Sequence, residues 1–384
     1  MLKKSRFYFS VMLAALVLAS LLITSNVKAC EDPPQTFLSL YMNSDLIVVA
    51  KYESNGEAKK TNEDEYGYSL ETPRNLTISK VYKGQKDLEN VSFIFTDWVS
   101  TQTNGEAPVE EDYHGGEDYF DVSKIQIGGE YLFFLTKDKE SGQYNVTDYV
   151  SGIKKTTENL SIYEKNLNEL ADIVAVKKNQ SGRLAEWLVK NIEEPAMRDD
   201  AISDLSESFS RLKYPEEGVA EKDGPFIVNE GYGIYTVGVA SKLTPTQLNR
   251  VSTVLYPMLQ EAWFAPEARY ADYGISMILG SINKSRLAVH TYNLLQSVDK
   301  NDTERRFIVM EFLTSSVEDE TLSQIYYDYQ ELEYKIKEAS ADTPEAKKQL
   351  KAMQDSKALM LKNFDKRFKL LYSKNFAKVE EKKQ

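Results

Sequence analysis

Residues 43–52 read NSDLIVVAKY, and the run that indicates the fold is the apolar segment Leu46–Ala50. A short apolar run between polar and charged residues predicts a buried β-strand rather than a helix, which needs more residues. Further strands are predicted downstream, where apolar and polar residues alternate or an apolar run follows a Gly-Gly pair. These segments are 75–82, 91–95, 131–135 and 144–150. About five short strands predict a small closed barrel or a sandwich.

From about Ile162 the spacing of the apolar residues becomes helical. They recur every three or four positions, as in helices with one buried face. Thr244, Pro245 and Gln247 form a capping box with proline in the first turn, and Thr343-Pro344 begins the last helix. The apolar stripes include Leu184, Trp187, Leu188, Ile192; Ile202, Leu205, Phe209, Leu212; and Leu350, Met353, Met360, Phe364, Phe368, Leu371. A helical-repeat stack and an irregular bundle both fit this pattern, since no motif recurs at a fixed period.

The expected fold is therefore multi-domain, with α and β structure in separate parts of the chain. A β domain occupies residues 30–161 and an all-α domain occupies residues 162–377. The β domain contains an acidic insertion at residues 105–121, and residues 378–384 form a charged tail.

Residues 1–29 have the features of a secretory signal peptide. Lys3, Lys4 and Arg6 precede an apolar run at residues 11–23, which is shorter than the roughly 20 residues that span a bilayer. Val27-Lys28-Ala29 then leads to Cys30, which we expect to be the first residue of the mature chain. The same site has two interpretations: soluble secretion after ordinary cleavage, or lipidation of Cys30 as a membrane anchor. A retained membrane helix is the remaining alternative.

The composition argues against several classes of function. A net charge of −12 is unlike that of a nucleic-acid-binding surface, which needs clustered Lys and Arg. Cys30 is the single cysteine, so no intrachain disulfide forms. His114 and His290 are far apart in sequence, and no spacing suggests a zinc site or a catalytic triad. We expect structural roles for both histidines, no cofactor and no enzymatic activity.

The acidic insertion at residues 105–121 carries seven carboxylates, and such a density could bind calcium. It lacks the fixed ligand spacing of an EF-hand, so a solvated loop is the alternative. Glu110 and Asp112 also form a pair of carboxylates of the kind that hydrolyses glycosides, an alternative with no spacing to support it.

Residues 30–37, which read CEDPPQTF, together with residues 43–52 resemble the start of the tissue inhibitors of metalloproteinases. Residues 76–84, LTISKVYKG, resemble the strand and Tyr-Lys-Gly turn of the same family, and residues 127–133, IGGEYLF, are a weaker match. The matches cover about 100 of the 384 residues. The resemblance implies a netrin-like OB-fold barrel. The helical half has no counterpart in the animal inhibitors, so the chain looks like a bacterial netrin-like protein with an added helical domain.

The resemblance also implies which residues act. In that family the amine and carbonyl oxygen of the first cysteine chelate the zinc of a protease. Here this residue would be Cys30, with Glu31 entering the specificity pocket and Asp32, Pro33 and Pro34 forming the wedge. The expected function is extracytoplasmic protein binding, and the most specific candidate partner is a metalloprotease. The alternative is an envelope scaffold tethered by a lipid on Cys30 and binding through the helical domain. Membrane contact is expected only through that lipid, and the oligomeric state stays open.

Overall fold

A computed structural model of the chain describes residues 35–63, 66–100, 125–176, 178–213, 226–229, 233–236, 238–262, 269–299, 302–317, 319–339 and 342–375. The chain divides into two compact units, Met1–Gln35 and Thr36–Gln384. All the elements described below belong to the second unit. The predicted signal peptide lies outside the described residues.

The β part begins with a short helix and continues as strands. Helix α1 is Phe37–Asn43. The strands are β1 (Leu46–Asn55), β2 (Lys59–Thr61), β3 (Gly67–Lys83), β4 (Asn90–Ser100), β5 (Glu130–Lys137), β6 (Tyr144–Val146) and β7 (Ile153–Lys155). Strands β1, β3, β4, β6 and β5 follow one another around a closed barrel, and pairing of β1 with β5 completes the ring. Strand β2 pairs with β3 and β7 with β5 as additions. Of the two architectures predicted, the barrel is the observed one.

Strand β1 explains why the run at residues 46–50 is apolar throughout. Leu46 and Val48 belong to the core inside the barrel, together with Phe93 and Phe133. Ile47 and Val49 belong to a second core cluster formed with the helices. Because successive side chains of a strand point to opposite faces, a strand that is buried on both faces needs apolar residues at every position.

The helical region begins at Thr156, directly after β7. Its helices are α2 (Thr156–Ala175), α3 (Gln180–Glu193), α4 (Arg198–Lys213), α5 (Pro245–Ala262), α6 (Arg269–Ser297), α7 (Thr303–Val317), α8 (Glu320–Glu338) and α9 (Pro344–Asn375). A small hairpin of β8 (Phe226–Asn229) and β9 (Gly233–Thr236) lies between α4 and α5 in the chain. None of the helices in the described ranges is long and apolar enough to cross a membrane.

Several local predictions are confirmed. The stripe on α3, from Leu184 to Ile192, is buried. Thr244 and Gln247 form the predicted capping box: Gln247 N donates to Thr244 Oγ1 at 3.3 Å, and Thr244 N donates to Gln247 Oε1 at 2.8 Å. Thr343 likewise accepts from Ala346 N at the start of α9. These signals act within one helical turn, so they can be recognised from adjacent residues alone.

Three local predictions were wrong or incomplete. Leu212 was assigned to the buried stripe of α4 but is 47% exposed, because it lies in the last turn of that helix. The strand predicted at residues 144–150 ends at Val146, because Asp148 then forms a turn by accepting hydrogen bonds from Val150 N and Gly152 N. Helix α1 was missed inside the predicted β region.

The barrel and the helices share a hydrophobic core. Outward-facing residues of β1 and β5, including Val49 and Phe134, lie in one cluster with residues of α1 and the later helices. The barrel is therefore joined to the helical region by packing as well as by the chain. The domain boundary at residues 161 and 162 stays a prediction.

Candidate functional site

The residues predicted to act, Cys30, Glu31, Asp32, Pro33 and Pro34, lie outside the described residues, as do Glu110, Asp112 and His114 of the acidic insertion. The hypotheses of a calcium site and of glycoside hydrolysis therefore stay untested. The structure does describe how the chain is held directly after the predicted wedge, from Gln35 onward. The candidate site begins at that point.

Two carboxylates of helix α4 hold the start of helix α1. Thr36 is the N-cap of α1, and its Oγ1 accepts a hydrogen bond from Ser39 N at 3.2 Å. The same hydroxyl donates to Asp204 Oδ1 at 2.9 Å, and Phe37 N donates to Asp200 Oδ2 at 3.1 Å. We call Thr36, Phe37, Asp200 and Asp204 the N-terminal anchor. It connects the first described residues to a helix more than 160 positions further along the chain.

Aromatic packing also holds the start of helix α1, at Phe37. The Phe37 ring meets the Phe134 ring of β5 edge-on, with centroids 5.4 Å apart. It also stacks on Tyr163 of α2 at 5.7 Å. Phe37, Leu38 and Leu40 have no exposed surface. Full burial of each such side chain contributes about 1.5–3 kcal/mol, so this segment is fixed by its core contacts.

The C-terminal end of α1 is capped by a residue from the quoted Tyr-Lys-Gly turn. Lys83 Nζ donates to the carbonyl oxygens of Tyr41 and Met42 at 2.7 and 3.2 Å. These carbonyls have no partner within the helix, and a cation at this end also interacts favourably with the helix dipole. Burial lowers the pKa of Lys83, opposed by the nearby Asp45 carboxylate.

The two motifs that carry the resemblance meet at this end of α1. Gly84 has a φ of +98°, and a Cβ there would lie 2.9 Å from both Asp45 O and Leu46 Cδ1, so the turn requires glycine. Asp45 accepts a hydrogen bond from Lys137 N at 2.7 Å, and its own N–H donates to Leu135 O. Asp45, Lys83 and Gly84 therefore have structural roles: they join α1 to the barrel.

Burial perturbs both carboxylates of the N-terminal anchor. Burial raises the pKa of Asp204 well above its usual range, the hydrogen bond from Thr36 opposes this, and the nearby Asp200 and Glu207 add to the rise. Asp204 is 5% exposed, and its Oδ2 has no hydrogen-bond partner among the described residues. Burial also raises the pKa of Asp200, against the opposing effects of Lys154 and of the Phe37 N–H. The fold thus makes the protonated form of Asp204 more favourable than it is in the unfolded chain.

The N-terminal anchor was not predicted from the sequence. Residues 36–41 hold a signal for helix α1, namely a Thr N-cap followed by apolar residues at helical spacing. Asp200 and Asp204 are four residues apart in α4, so they share a helix face, but that spacing is equally typical of a solvated face. Only their position against α1 distinguishes them from surface acids.

His290 does not assemble a catalytic set. It is partly buried on α6, with its ring 4.9 Å from the Tyr256 ring, over which Arg286 also lies at 4.4 Å. Burial and Arg286 lower the pKa of His290. In the part of the chain that the structure describes, no three His, Cys, Asp or Glu side chains are grouped to hold a metal ion.

A polar cleft of about 430 Å³ lies between α2 and α3. Two buried asparagines, Asn166 and Asn191, contribute to its lining, and charged residues surround them. Asn166 Nδ2 donates to Ile162 O, whereas Asn191 Nδ2 has no partner among the described residues. The lining residues of both charges are Lys165, Glu169, Lys190, Glu193 and Glu194.

Comparison of the sequence with models of known protein families, and with curated proteins, gives no match.

Proposed function

We propose that this chain is an extracytoplasmic protein-binding module that acts through its N-terminal segment Cys30–Pro34. More specifically, we propose that it inhibits a metalloendopeptidase. The resemblance of residues 30–37, 43–52 and 76–84 to the tissue inhibitors of metalloproteinases motivates the proposal. A closed five-stranded barrel is compatible with the OB-fold of that family.

The observation that carries the proposal is the N-terminal anchor. The animal inhibitors hold their N-terminal wedge with disulfides, whereas Cys30 has no second cysteine to pair with. Here Asp204 and Asp200 bind the chain at Thr36 and Phe37, two and three residues after Pro34. A segment that is fixed at its base loses less conformational freedom on binding, so its affinity is higher. On this proposal the added helical region takes over the positioning role of the disulfides.

The chemistry of Cys30 suits a zinc ligand. A neutral amine is a nitrogen ligand of the kind that zinc accepts, and an α-amino group has an ordinary pKa of about 8. Metal binding competes with the proton, so inhibition would strengthen as pH rises toward that value. The Cys30 carbonyl oxygen would complete the chelate.

Glu31 places a constraint on the partner. The pocket residue of the family is generally apolar, and burial of an unpaired carboxylate is costly. A protease that binds this segment would therefore offer a cation or several hydrogen-bond donors in the pocket that receives Glu31. Metalloproteases with basic specificity pockets are the class to test first.

The direct test uses the chain from Cys30 to Gln384 with a free native N-terminus, titrated against a panel of metalloproteases. The matched control carries one additional alanine before Cys30, which moves the amine away from the chelating position. We expect inhibition by the native form and at least a tenfold weaker effect from the extended form, because one chelating ligand is lost. Equal inhibition by the two forms would show that the amine does not chelate.

The second candidate function is a lipid-tethered envelope scaffold that binds partners through its helical region. The polar cleft between α2 and α3 favours it, since the unpartnered Asn191 Nδ2 sits among charged groups of both signs. Mass spectrometry of the native N-terminus discriminates between the two functions. A diacylglyceryl group and an acylated amine on Cys30 would establish the tether and exclude chelation, whereas a free amine on an unmodified Cys30 would remove the tether.

A further inference from the structure

The last helix has a charge opposite to that of the rest of the chain. Helix α9, Pro344–Asn375, holds eight lysines and one arginine against three acidic residues, a net charge of +6. The whole chain carries −12, so the remainder carries −18. Such segregation gives the molecule a strongly positive element on an otherwise negative body.

Six of these lysines lie on one side of α9. At 100° per residue they fall within an arc of about 100°. All six are exposed, and together they are called the lysine face: Lys347, Lys348, Lys351, Lys362, Lys366 and Lys369. Asp355 and Asp365 share the arc, so it carries a net charge of +4. The buried residues Phe364 and Phe368 lie on the opposite side of the helix.

The lysine face has no internal partner in the described part of the chain. The inward-facing cations of α9 are paired: Lys357 Nζ contacts Glu333 of α8, and Arg367 binds Asp319, the N-cap residue of α8, at 2.6 Å. No ion pair connects any of the six lysines to another described residue. The fold therefore uses two cations of α9 for packing and leaves the six of the lysine face toward solvent.

We propose that the lysine face docks on the surface of a membrane that contains anionic phospholipids. Two exposed leucines at the border of the face, Leu359 and Leu370, are 58% and 45% exposed. A long helix with a lysine-rich face and apolar residues beside it is typical of interfacial binding. This inference does not depend on the proposed function of Cys30–Pro34.

The type and arrangement of the cations favour a lipid surface over a specific acidic protein. Arginine is the usual residue for bidentate recognition of a carboxylate or phosphate, and the single arginine of α9 is already paired with Asp319. Lysines act as hydrated point charges and suit a diffuse negative potential. The helix, about 48 Å long, presents them as an extended row. The remainder of the chain has a net negative charge, so an anionic surface favours the orientation in which α9 faces it.

The test measures co-sedimentation of the unlipidated chain from Cys30 to Gln384 with vesicles. One set of vesicles is phosphatidylcholine alone, and the other holds equal amounts of phosphatidylcholine and phosphatidylglycerol. We expect binding to the anionic vesicles only, with loss of binding in about 0.5 M salt because the interaction is screened. Equal binding to both kinds of vesicle, or binding to neither, would overturn the proposal.

Two matched variants carry the same change of charge. The first replaces Lys351, Lys362, Lys366 and Lys369 by glutamine, and the second does so at the exposed Lys59, Lys139, Lys178 and Lys242. We expect the first to weaken vesicle binding by about tenfold or more and the second to leave it within about twofold. Circular dichroism checks that both are folded. Equal losses in the two variants would show that net charge alone, and not the lysine face, drives binding.

A third variant distinguishes binding to a membrane from binding to an acidic polymer. Leu359→Ser with Leu370→Ser removes the apolar border and leaves the charge unchanged. We expect it to reduce binding to anionic vesicles severalfold, while binding of soluble polyglutamate stays weak in both the native and the variant chains. If polyglutamate binds as tightly as the vesicles and the leucine variant binds vesicles normally, the lysine face is a site for acidic polymers and the lipid assignment is wrong.

Discussion

Thr36 Oγ1 donates a hydrogen bond to Asp204 Oδ1 at 2.9 Å, across 168 positions of sequence. The same hydroxyl caps helix α1 by accepting from Ser39 N. One side chain thus begins the first described helix and connects it to α4. Cys30–Pro34, the predicted wedge, precede this point in the sequence and lie outside the described residues.

The first prediction concerns that hydroxyl. Thr36→Val keeps the shape of the side chain but removes both of its hydrogen bonds and leaves Asp204 without its donor. We expect a loss of about 1–3 kcal/mol in the free energy of unfolding, measured by urea denaturation. Thr36→Ser retains the hydroxyl and is the control, with a loss below about 1 kcal/mol. Equal stability of the two variants would contradict the role assigned to this hydrogen bond.

The second prediction concerns the pH dependence of stability. The pKa of Asp204 is raised by burial above its ordinary value of 3.8, so the folded state holds a proton that the unfolded state has released. The stabilisation is complete below pH 3.8 and is lost as pH rises through the folded pKa. Within that window the loss is about 1.4 kcal/mol per pH unit.

Asp204→Asn isolates this contribution, because asparagine keeps an acceptor for Thr36 and cannot ionise. We expect the difference in unfolding free energy between Asp204→Asn and the native chain to shift in favour of the variant as pH rises from about 4. Urea denaturation at a series of pH values measures it. A difference that does not change with pH would mean that Asp204 ionises in the folded state as it does in the unfolded chain.

The third prediction concerns Gly84. Gly84 has a positive φ, which is unfavourable for any residue with a Cβ. A Cβ added there would also lie 2.9 Å from the backbone oxygen of Asp45. Gly128 is the matched control, since its φ is +87° but no atom lies within 4 Å of the added Cβ. Gly128→Ala should cost about 1–2 kcal/mol from backbone conformation alone. Gly84→Ala should cost more, and thermal unfolding of the two variants would show whether the contact adds to the conformational cost.

The fourth prediction compares two lysines that both bind backbone carbonyls. Lys83→Met leaves the carbonyls of Tyr41 and Met42 without a donor in a partly buried place, so we expect a loss of about 1–2 kcal/mol. Lys86 bonds to Val81 O and Tyr82 O but is exposed, where water replaces it. Lys86→Met should change the unfolding free energy by less than about 0.5 kcal/mol. If both variants lose the same stability, the cap on α1 contributes nothing specific.

Local features of this protein were predictable because their causes lie within a few residues. The apolar run from Leu46 to Ala50 indicated a buried strand, and Thr244 with Gln247 indicated the start of a helix. Helix α1 was missed although its N-cap, Thr36, is also a local signal, because a helix of seven residues is marginal without tertiary contacts. The strand expected after Val146 was shortened by Asp148, whose turn-forming hydrogen bonds compete with pairing.

The sequence by itself determined the order of a β part and a helical part, the strand at residues 46–50 and the capped helix starts, since each depends on propensities and spacings within one or two turns. Only the tertiary structure decided that β1 and β5 close the barrel, that Lys83 caps α1, and that Asp204 receives Thr36. Those partners are far apart in sequence, and packing selects them. Burial likewise decided the roles of the charged residues. Asp204 is buried and belongs to the N-terminal anchor, whereas the lysines of the lysine face are exposed to solvent.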